Sequence, residues 1–410
     1  MAACATRPRV APAAQAFALA VLVIATGATA LETSAAGAAA TKPPAIGELV
    51  VRVQVPNAYC AAVSDAQGVL VIGQRDPAGG RILMFRLGAD GKPGSKPVTY
   101  DLPRPDPLKA ISNYPLALIF HPKLPLLYAW QDLAVPPVET VAQRPGLDLF
   151  DHLHVLRVEH QRLAPVAALA RGVEYGHGRT TGNISLDPAA ARLLLPDARD
   201  DAGQPAIGYF DLSAAGIPLQ VPVPTPGNLD GFGLDKFEMK LRPVRMALGQ
   251  EVGSLAAPTP EVALLGVAGG VALWDTTNRR GAVGFVLVPE VVGLCQISAD
   301  PRLPRVYGTT TESGQDLLVA IDHADGYLTL QPEVVHLGAA IHPRTAPLVM
   351  CGRVNRLAIG GINEVHVVPL DAAGHVAGPA QSAPAACPSV RALAYSPKHD
   401  RLYVAVEGKP

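Results

Sequence analysis

A two-strand pattern that recurs seven times constrains the fold of this 410-residue chain more than any other feature. Its C-terminal copy, Val390–Gly408, has an apolar run ending at Tyr395, a polar turn that begins Ser396-Pro397, and a second run of β-branched and aromatic residues. Two such runs joined by a proline-containing turn predict a β-hairpin. A hairpin repeated along a chain indicates an architecture in which each copy buries its apolar faces against its neighbours.

The second strand of this hairpin is the most regular part of the repeat. Successive copies start between 43 and 70 residues apart, and the shorter intervals match the roughly 40 to 50 residues of a four-stranded propeller blade. The copies are Val69–Gly73, Leu126–Trp130, Arg192–Pro196, Val262–Gly266, Arg305–Thr309, Arg356–Gly360 and Arg401–Ala405. We therefore predict an all-β protein with seven blades.

The turn inside the hairpin repeats as well. Proline cannot donate a ladder hydrogen bond and presets the backbone for a turn, so a polar residue followed by proline ends a strand. Such pairs are His121-Pro122, Asp187-Pro188, Asp300-Pro301 and Ser396-Pro397, whereas the fourth and sixth hairpins lack one. A third strand follows six of the seven copies, but the chain stops at Pro410, where the seventh would begin.

An unassigned strand-like segment, Glu48–Val55, precedes the first full hairpin. A propeller usually completes its last blade with a strand from the opposite end of the chain, which removes exposed sheet edges. We predict that Glu48–Val55 completes the last blade, the one that contains the C-terminal hairpin. The predicted fold is a seven-bladed β-propeller over residues 46–410, closed by pairing of N- and C-terminal strands.

The repeats also resemble a known family. The Tyr403-Val404 strand after Ser396-Pro397, and the strand-Asp-x-x-x-Gly pattern of Ala320–Gly326, are similar to the YVTN-type and lactonase-like seven-bladed β-propellers. The resemblance covers most of the chain from about residue 46 and implies the same fold. Because such repeats occur in lactonases, quinoprotein subunits and pure binding domains, it implies either a hydrolase or a binding module and transfers no catalytic residue.

The N-terminus has the pattern of an export signal. Arg7 and Arg9 precede the apolar stretch Ala16–Ile24, and Ala28-Thr29-Ala30 is a small-x-small cleavage site. The alternative is a membrane anchor, but this apolar stretch is shorter than the roughly 20 residues of a membrane span. We predict a signal peptide over residues 1–30, a flexible leader over 31–45, and a periplasmic or extracellular protein that is not inserted in a membrane after cleavage.

Composition limits the partners and cofactors. The formal net charge is -1, so the chain has no general electrostatic attraction to nucleic acid. His152 and His154 alternate on one predicted strand, but no third ligand is apparent, so we predict structural roles and no metal site. The sequence does not identify a cofactor.

Four cysteines remain beyond the predicted signal peptide: Cys60, Cys295, Cys351 and Cys387. An exported chain with an even number of cysteines favours disulfides, and pairs between adjacent blades would be Cys295–Cys351 and Cys60–Cys387. Buried free thiols are the alternative.

We predict the functional surface at the end of the propeller where loops between second and third strands meet loops between blades. Two insertions, 131–151 and 225–243, fall there with a set of charged side chains. The candidates are His177 and Arg179 as catalytic residues, and Arg75, Arg199, Asp200, Asp201, His342 and Arg344 as ligand-binding residues.

Arginine donates hydrogen bonds to anions and histidine can transfer protons, so this set suits a small polar or anionic molecule, or another protein. Ordinary solvated loop charges are the alternative interpretation. Two functions stay open, an exported binding module, which we prefer, and a lactonase-like hydrolase.

Overall fold

The chain is a β-propeller in a computed structural model. The structure describes residues 20–25, 48–75, 80–102, 112–134, 152–171, 184–187, 189, 191–199, 205–219, 238–239, 244–245, 252–276, 282–289, 295–310, 316–324, 327–329, 332–338, 347–352, 355–385 and 389–407. These residues form seven sheets and contain no helix. None of the described segments is therefore a helix that could cross a membrane.

The first two strands, β1 (Ala20–Ala25) and β2 (Glu48–Gln54), join the C-terminal strands in one sheet. The next three sheets are antiparallel blades. Their strands are β3 (Ala58–Ser64), β4 (Val69–Gln74), β5 (Arg81–Arg86) and β6 (Val98–Asp101) in the first blade; β7 (Ser112–Phe120), β8 (Leu126–Ala134), β9 (His152–Val158) and β10 (Leu163–Arg171) in the second; and β11 (Ser185–Leu186), β12 (Arg192–Arg199), β13 (Pro205–Asp211) and β15 (Val244–Arg245) in the third. The short strand β14 (Glu238–Met239) runs parallel to β10 at the edge of the second blade.

Three further blades follow in chain order. Their strands are β16 (Val252–Ala256), β17 (Val262–Val267), β18 (Gly270–Asp275) and β19 (Ala282–Leu287) in the fourth blade; β20 (Cys295–Ala299), β21 (Arg305–Thr310), β22 (Leu317–Ala324), β23 (Tyr327–Leu328) and β24 (Glu333–His336) in the fifth; and β25 (Leu348–Cys351), β26 (Arg356–Gly360), β27 (Glu364–Pro369) and β28 (Gln381–Pro384) in the sixth. Six blades are thus built mainly from strands that are consecutive in the sequence.

The seventh sheet, here called the terminal sheet, combines both ends of the chain. Its order is β29 (Ser389–Ser396), β30 (Arg401–Glu407), β1, β2, and all neighbours are antiparallel. The segment predicted to complete the last blade, Glu48–Val55, contributes β2 to this sheet, and β1 lies between β2 and β30. Since β2 is antiparallel to β1 and β1 to β30, β2 runs in the same direction as β30 and takes the fourth position.

The apolar runs in the sequence reflect burial on both faces of each blade. All six residues of β4 are buried, as are five of the six residues of β17 and of β18. A strand covered on one face alternates apolar and polar residues, whereas one covered on both faces is almost continuously apolar. The hydrophobic clusters accordingly lie between successive sheets, and one of them joins Leu70 and Phe85 of the first blade to Tyr403 of the terminal sheet.

The repeat predicted from the sequence is present as strands. The second strands β4, β8, β12, β17, β21, β26 and β30 all begin at the predicted residues. The fourth and sixth hairpins, which lack the polar-proline pair, nevertheless have first strands, β16 and β25.

Candidate functional site

One end of the sheets, here called the turn end, carries the short connections between first and second strands. At five of these turns a polar side chain near the end of the first strand accepts a hydrogen bond from the turn backbone, at 2.7 to 3.3 Å. The five acceptors are Ser64, His121, Asp187, Asp300 and Ser396. The polar-proline pairs of the repeat therefore shape turns, as their sequence pattern predicted.

His121 accepts the hydrogen bonds of its turn through its imidazole ring. Its Nδ1 accepts from the backbone N–H groups of Lys123 and Leu124, at 3.1 and 3.0 Å, so the proton of the neutral ring is on Nε2. Burial, and secondarily the charge of Lys123, lower the pKa of this histidine. The His121 ring is thus held neutral by its structural role.

A cavity of about 380 Å³ opens at the turn end between the terminal sheet and the first two blades. Its lining is Val63, Ser64, Asp65, Ala66, Phe120, His121, Pro122, Tyr395 and Pro397. The Asp65 carboxylate accepts from the Ser396 hydroxyl and, at 2.8 Å, from the backbone N–H of Lys398. This carboxylate therefore ties the first blade to the terminal sheet.

The opposite end, here called the loop end, carries the connections from second to third strands and from one blade to the next. Second strands run toward it, so the residues after β4 and at the end of β12 lie at this end. Arg75 directly follows β4, is exposed, and its backbone N–H donates to the Asn57 carbonyl at 2.8 Å. Arg199 is the last residue of β12.

The other predicted site residues lie outside the described part of the chain. They are His177, Arg179, Asp200, Asp201, His342 and Arg344, and the side chain of Arg199 is likewise not described. The strands that flank these positions, β10 and β11, β12 and β13, and β24 and β25, have their facing termini at the loop end. The described strand termini on either side of these positions thus lie at one end of the sheets.

Polar side chains at or near strand ends include one exposed ion pair and one buried pair. Arg81 and Asp101 of the first blade form the exposed pair, with 2.9 Å between Nε and Oδ1. In the second blade His154 is 2% exposed, and its Nε2 lies 2.5 Å from Oε1 of the buried Gln131. This contact fits the structural role predicted for His154. Within the described ranges, no three His, Cys, Asp or Glu side chains are grouped so that they could hold a metal ion.

Sequence reasoning missed a tyrosine–glycine hydrogen bond that recurs between neighbouring sheets. Three second strands carry a buried tyrosine at the third position whose hydroxyl donates to a glycine carbonyl in the next sheet. The pairs are Tyr128–Gly216 at 2.6 Å, Tyr307–Gly374 at 2.8 Å and Tyr403–Gly91 at 2.8 Å. The signal was present in the sequence as Tyr in the second strand and Gly in the turn after the third strand.

The arginine that opens several second strands also has a structural partner. Arg192 pairs with Asp211 and Arg305 with Asp322, each at 3.0 Å, and each pair joins residues directly opposite on adjacent strands. Arg305 is 3% exposed and also contacts Glu333, which lies 3.0 Å from His375 of the next blade. These repeated charges stabilise blades and their interfaces.

Of the two cysteine states that the sequence left open, Cys60 and Cys351 have that of the buried free thiol. Cys60 and Cys351 are free thiols, so neither Cys60–Cys387 nor Cys295–Cys351 is formed. Cys60 donates from Sγ to the Pro115 carbonyl at 3.3 Å. Burial raises the pKa of both thiols, that of Cys351 to about 12. Both behave as small apolar core residues.

Comparison with solved structures gives the same fold. No protein-family model matches the chain, and no curated protein matches its sequence. Similar structures include a protein of Lactobacillus plantarum (12% identity, 95% of this chain and 100% of that one, TM-score 0.55) and a putative 6-phosphogluconolactonase from Bacteroides uniformis (11%, 91% and 99%, 0.53). Another is the hydrazine synthase of Kuenenia stuttgartiensis (11%, 85% and 92%, 0.54). At these identities the likeness shows the β-propeller fold alone.

Proposed function

We propose that this protein is an exported binding module on a closed seven-bladed ring. The terminal sheet supports the seventh blade, because its strands β29 and β30 lie outside the predicted signal peptide and pack on the first blade through the cluster that contains Leu70, Phe85 and Tyr403. The hydrogen bond from Tyr403 to Gly91 repeats the one that links the fifth blade to the sixth. In this proposal the contact between the terminal sheet and the first blade uses the same tyrosine–glycine hydrogen bond as the contact between the fifth and sixth blades.

The contrast between the two ends of the sheets carries the functional proposal. At the turn end, His121 and Asp65 already accept two hydrogen bonds each from the protein. The loop end carries the long connections and the exposed Arg75. Scaffold-held loops are where proteins place binding residues, because loops are free of the packing constraints of the core. The ligand site therefore lies at the loop end.

The residues assigned to that site define the class of ligand. His177, Arg179, Arg199, Asp200 and Asp201 form its centre, and Arg75, His342 and Arg344 extend it. Guanidinium groups bind carboxylate or phosphate by paired hydrogen bonds, and carboxylates accept from hydroxyl groups. The ligand we propose is a small molecule that is polar or anionic, outside the cytoplasm.

A lactonase-like hydrolase is the second candidate. The Bacteroides uniformis structure that carries the name of a 6-phosphogluconolactonase covers 91% of this chain. In that function His177 would be the acid or base and Arg179 would bind the anionic substrate.

Two assays on the chain from residue 31 distinguish the binding module from the hydrolase. Isothermal titration with 6-phosphogluconate measures binding of an anionic sugar acid, and proton release from 6-phosphoglucono-δ-lactone measures hydrolysis above the spontaneous rate. Saturable binding without added hydrolysis supports the binding module. Hydrolysis that His177→Ala abolishes supports the hydrolase. If the chain neither binds 6-phosphogluconate nor hydrolyses the lactone, a site for small sugar anions is contradicted.

A further inference from the structure

A buried histidine in the sixth blade lies between a serine and a glutamate. His366, on the third strand β27, is 0% exposed, and its Nδ1 lies 3.0 Å from Oγ of Ser382 on the fourth strand β28. Its Nε2 lies 3.7 Å from Oε1 of Glu364, whose side chain is 32% exposed. A buried imidazole thus separates the hydroxyl of the exposed Ser382 from a partly exposed carboxylate.

The position of His366 in its blade is apolar in other blades. It lies opposite the fourth residue of the second strand, and the residues with the same pairing in the first, fourth and fifth blades are Leu83, Ala272 and Val319, all buried. His154 has this position in the second blade, where it contacts the buried amide of Gln131. Core packing alone does not call for a histidine there, because a buried polar ring costs free energy unless it is hydrogen-bonded.

The Glu364 carboxylate favours one of the two neutral forms of the His366 ring. A negative charge on the Nε2 side favours the proton on Nε2, which leaves the Nδ1 lone pair to accept the hydrogen bond from the Ser382 hydroxyl. When Nδ1 takes up that proton, the ring becomes positive and is attracted by the carboxylate. His366 is therefore placed as a general base for Ser382, and Glu364 is a positioning residue that stabilises the imidazolium.

The strand register leaves the backbone N–H of Ser382 on the outer edge of the sixth blade. Ala385 donates to the Asn363 carbonyl at 2.8 Å, so these residues form a hydrogen-bonded pair just beyond the strand ends. Bonded and non-bonded pairs alternate along an antiparallel ladder, which makes His366 and Ser382 a non-bonded pair with close side chains. The Ser382 N–H thus points away from β27, to an edge that pairs with none of the described strands. An N–H beside a nucleophile can stabilise an oxyanion.

We propose that Ser382 is a nucleophile that accepts the acyl group of small uncharged carboxylic esters, in a site that uses none of the residues assigned above to the anion site. Its Oγ bonds to the ester carbonyl carbon while its proton passes to Nδ1 of His366. The bond from that carbon to the alcohol oxygen then breaks, and the alcohol oxygen takes the proton. The ester is uncharged because Glu364 repels an anionic acyl group.

Water completes the reaction. It attacks the acyl-serine carbonyl and gives a proton to Nδ1 of His366, and this proton returns to Oγ of Ser382 as the carboxylic acid leaves. One ester and one water thus give one alcohol and one acid, and the serine and histidine return to their starting forms.

Two probes test the nucleophile in the 410-residue chain. Diisopropyl fluorophosphate should form a bond between its phosphorus and Oγ of Ser382, with loss of fluoride, and peptide mass mapping locates the adduct. The chain should hydrolyse p-nitrophenyl acetate above the spontaneous rate, and Ser382→Ala should lower this excess about tenfold or more. Ser95→Ala, at an exposed serine of the first blade, is the control and should leave it unchanged. No adduct on Ser382, or equal hydrolysis in Ser382→Ala and the wild type, overturns the proposal.

A further variant separates catalysis from structure. Glu364→Gln should lower the maximal labelling rate by diisopropyl fluorophosphate about tenfold or more, because the carboxylate acts on the imidazolium that forms in the transition state. The half-saturating concentration of the probe and Tm should stay the same. His366→Gln should abolish labelling if it folds, and if it unfolds the Glu364→Gln rate decides. Equal maximal rates in Glu364→Gln and the wild type overturn the arrangement.

This site and the anion site of the proposed function succeed or fail separately. Ser382→Ala should leave the Kd for 6-phosphogluconate unchanged, because it alters none of the residues assigned to the anion site. A loss of 6-phosphogluconate binding in Ser382→Ala, with Tm unchanged, would contradict a separate ester site.

Discussion

The hydroxyl of Tyr403 donates a hydrogen bond of 2.8 Å to the carbonyl of Gly91, which joins the last strand of the chain to the first blade. The Tyr307–Gly374 bond has the same length between the fifth and sixth blades. Both tyrosines are fully buried, and burial raises the pKa of Tyr307 to about 12. These hydroxyls stay protonated and act as fixed donors between neighbouring sheets.

Replacing this tyrosine should weaken the fold by the same amount at both places. Tyr403→Phe and Tyr307→Phe each leave a glycine carbonyl without its donor, so we expect each to lower the free energy of unfolding by about 1 to 2 kcal/mol. Urea unfolding followed by tryptophan fluorescence measures this change. A loss for Tyr307→Phe with none for Tyr403→Phe would contradict the proposed closure of the ring.

The glycine partners are as constrained as the tyrosines. Gly374 has a φ of +84°, and a Cβ there would lie 2.7 Å from the Tyr307 hydroxyl oxygen. Gly68 has a φ of +60° but open space around the Cβ position, so it is a matched control. We expect Gly374→Ala to destabilise the protein by about 1 to 3 kcal/mol more than Gly68→Ala, because only the former adds steric overlap to backbone strain. Equal losses of unfolding free energy in the two variants would show that backbone strain alone causes the destabilisation.

The repeat was predictable from the sequence because strands buried on both faces are recognisable as apolar runs between polar-proline turns. β8 is such a case, because it follows the His121-Pro122 turn. The position of β1 was not predictable, because the same apolar residues that suit a buried strand also form the core of an export signal. The state of the cysteines was not predictable either, because equivalent positions in adjacent blades do not fix the distance or the direction between two side chains.

The candidate site was predictable only as a position in the topology. Arg75 and Arg199 fall at the loop end because second strands run toward it, which follows from counting strands. How loop side chains converge depends on the backbone of each connection, and the repeat pattern does not specify it. The tyrosine partners were missed because they depend on which blade packs against which. The arginine partners were missed because they depend on the register between adjacent strands of one blade.

Stability should depend on pH through His121. Its folded pKa is lowered, so the unfolded chain binds more protons at mildly acidic pH. The contribution of His121 is therefore fully present above about pH 6.5 and is lost as the pH falls through the folded pKa. His121→Asn keeps an oxygen that can accept from the turn and removes the titration. Urea unfolding of both proteins between pH 8 and pH 4.5 should show a steeper loss for the wild type, and parallel curves would contradict this role.

Reducing agents should leave the fold unchanged. Cys60 and Cys351 are buried thiols with raised pKa values, so we expect neither to react with Ellman's reagent in the native protein and both to react in guanidinium chloride. Tm with and without dithiothreitol measures the contribution of any disulfide. If Cys60 or Cys351 reacted in guanidinium chloride only after reduction, the free state of these thiols would be contradicted.

Binding at the loop end is the central claim, and it is tested most directly by titrating 6-phosphogluconate into three proteins, the wild type, Arg179→Ala and Lys398→Ala. The last variant removes a positive charge from the turn end and keeps the Lys398 backbone N–H that donates to Asp65. We predict that Arg179→Ala raises Kd at least tenfold, as expected for loss of a charged hydrogen bond, while Lys398→Ala leaves Kd unchanged and Tm stays the same in both. Equal Kd values in all three proteins, or a loss of binding in Arg179→Ala that is accompanied by unfolding, would contradict the site.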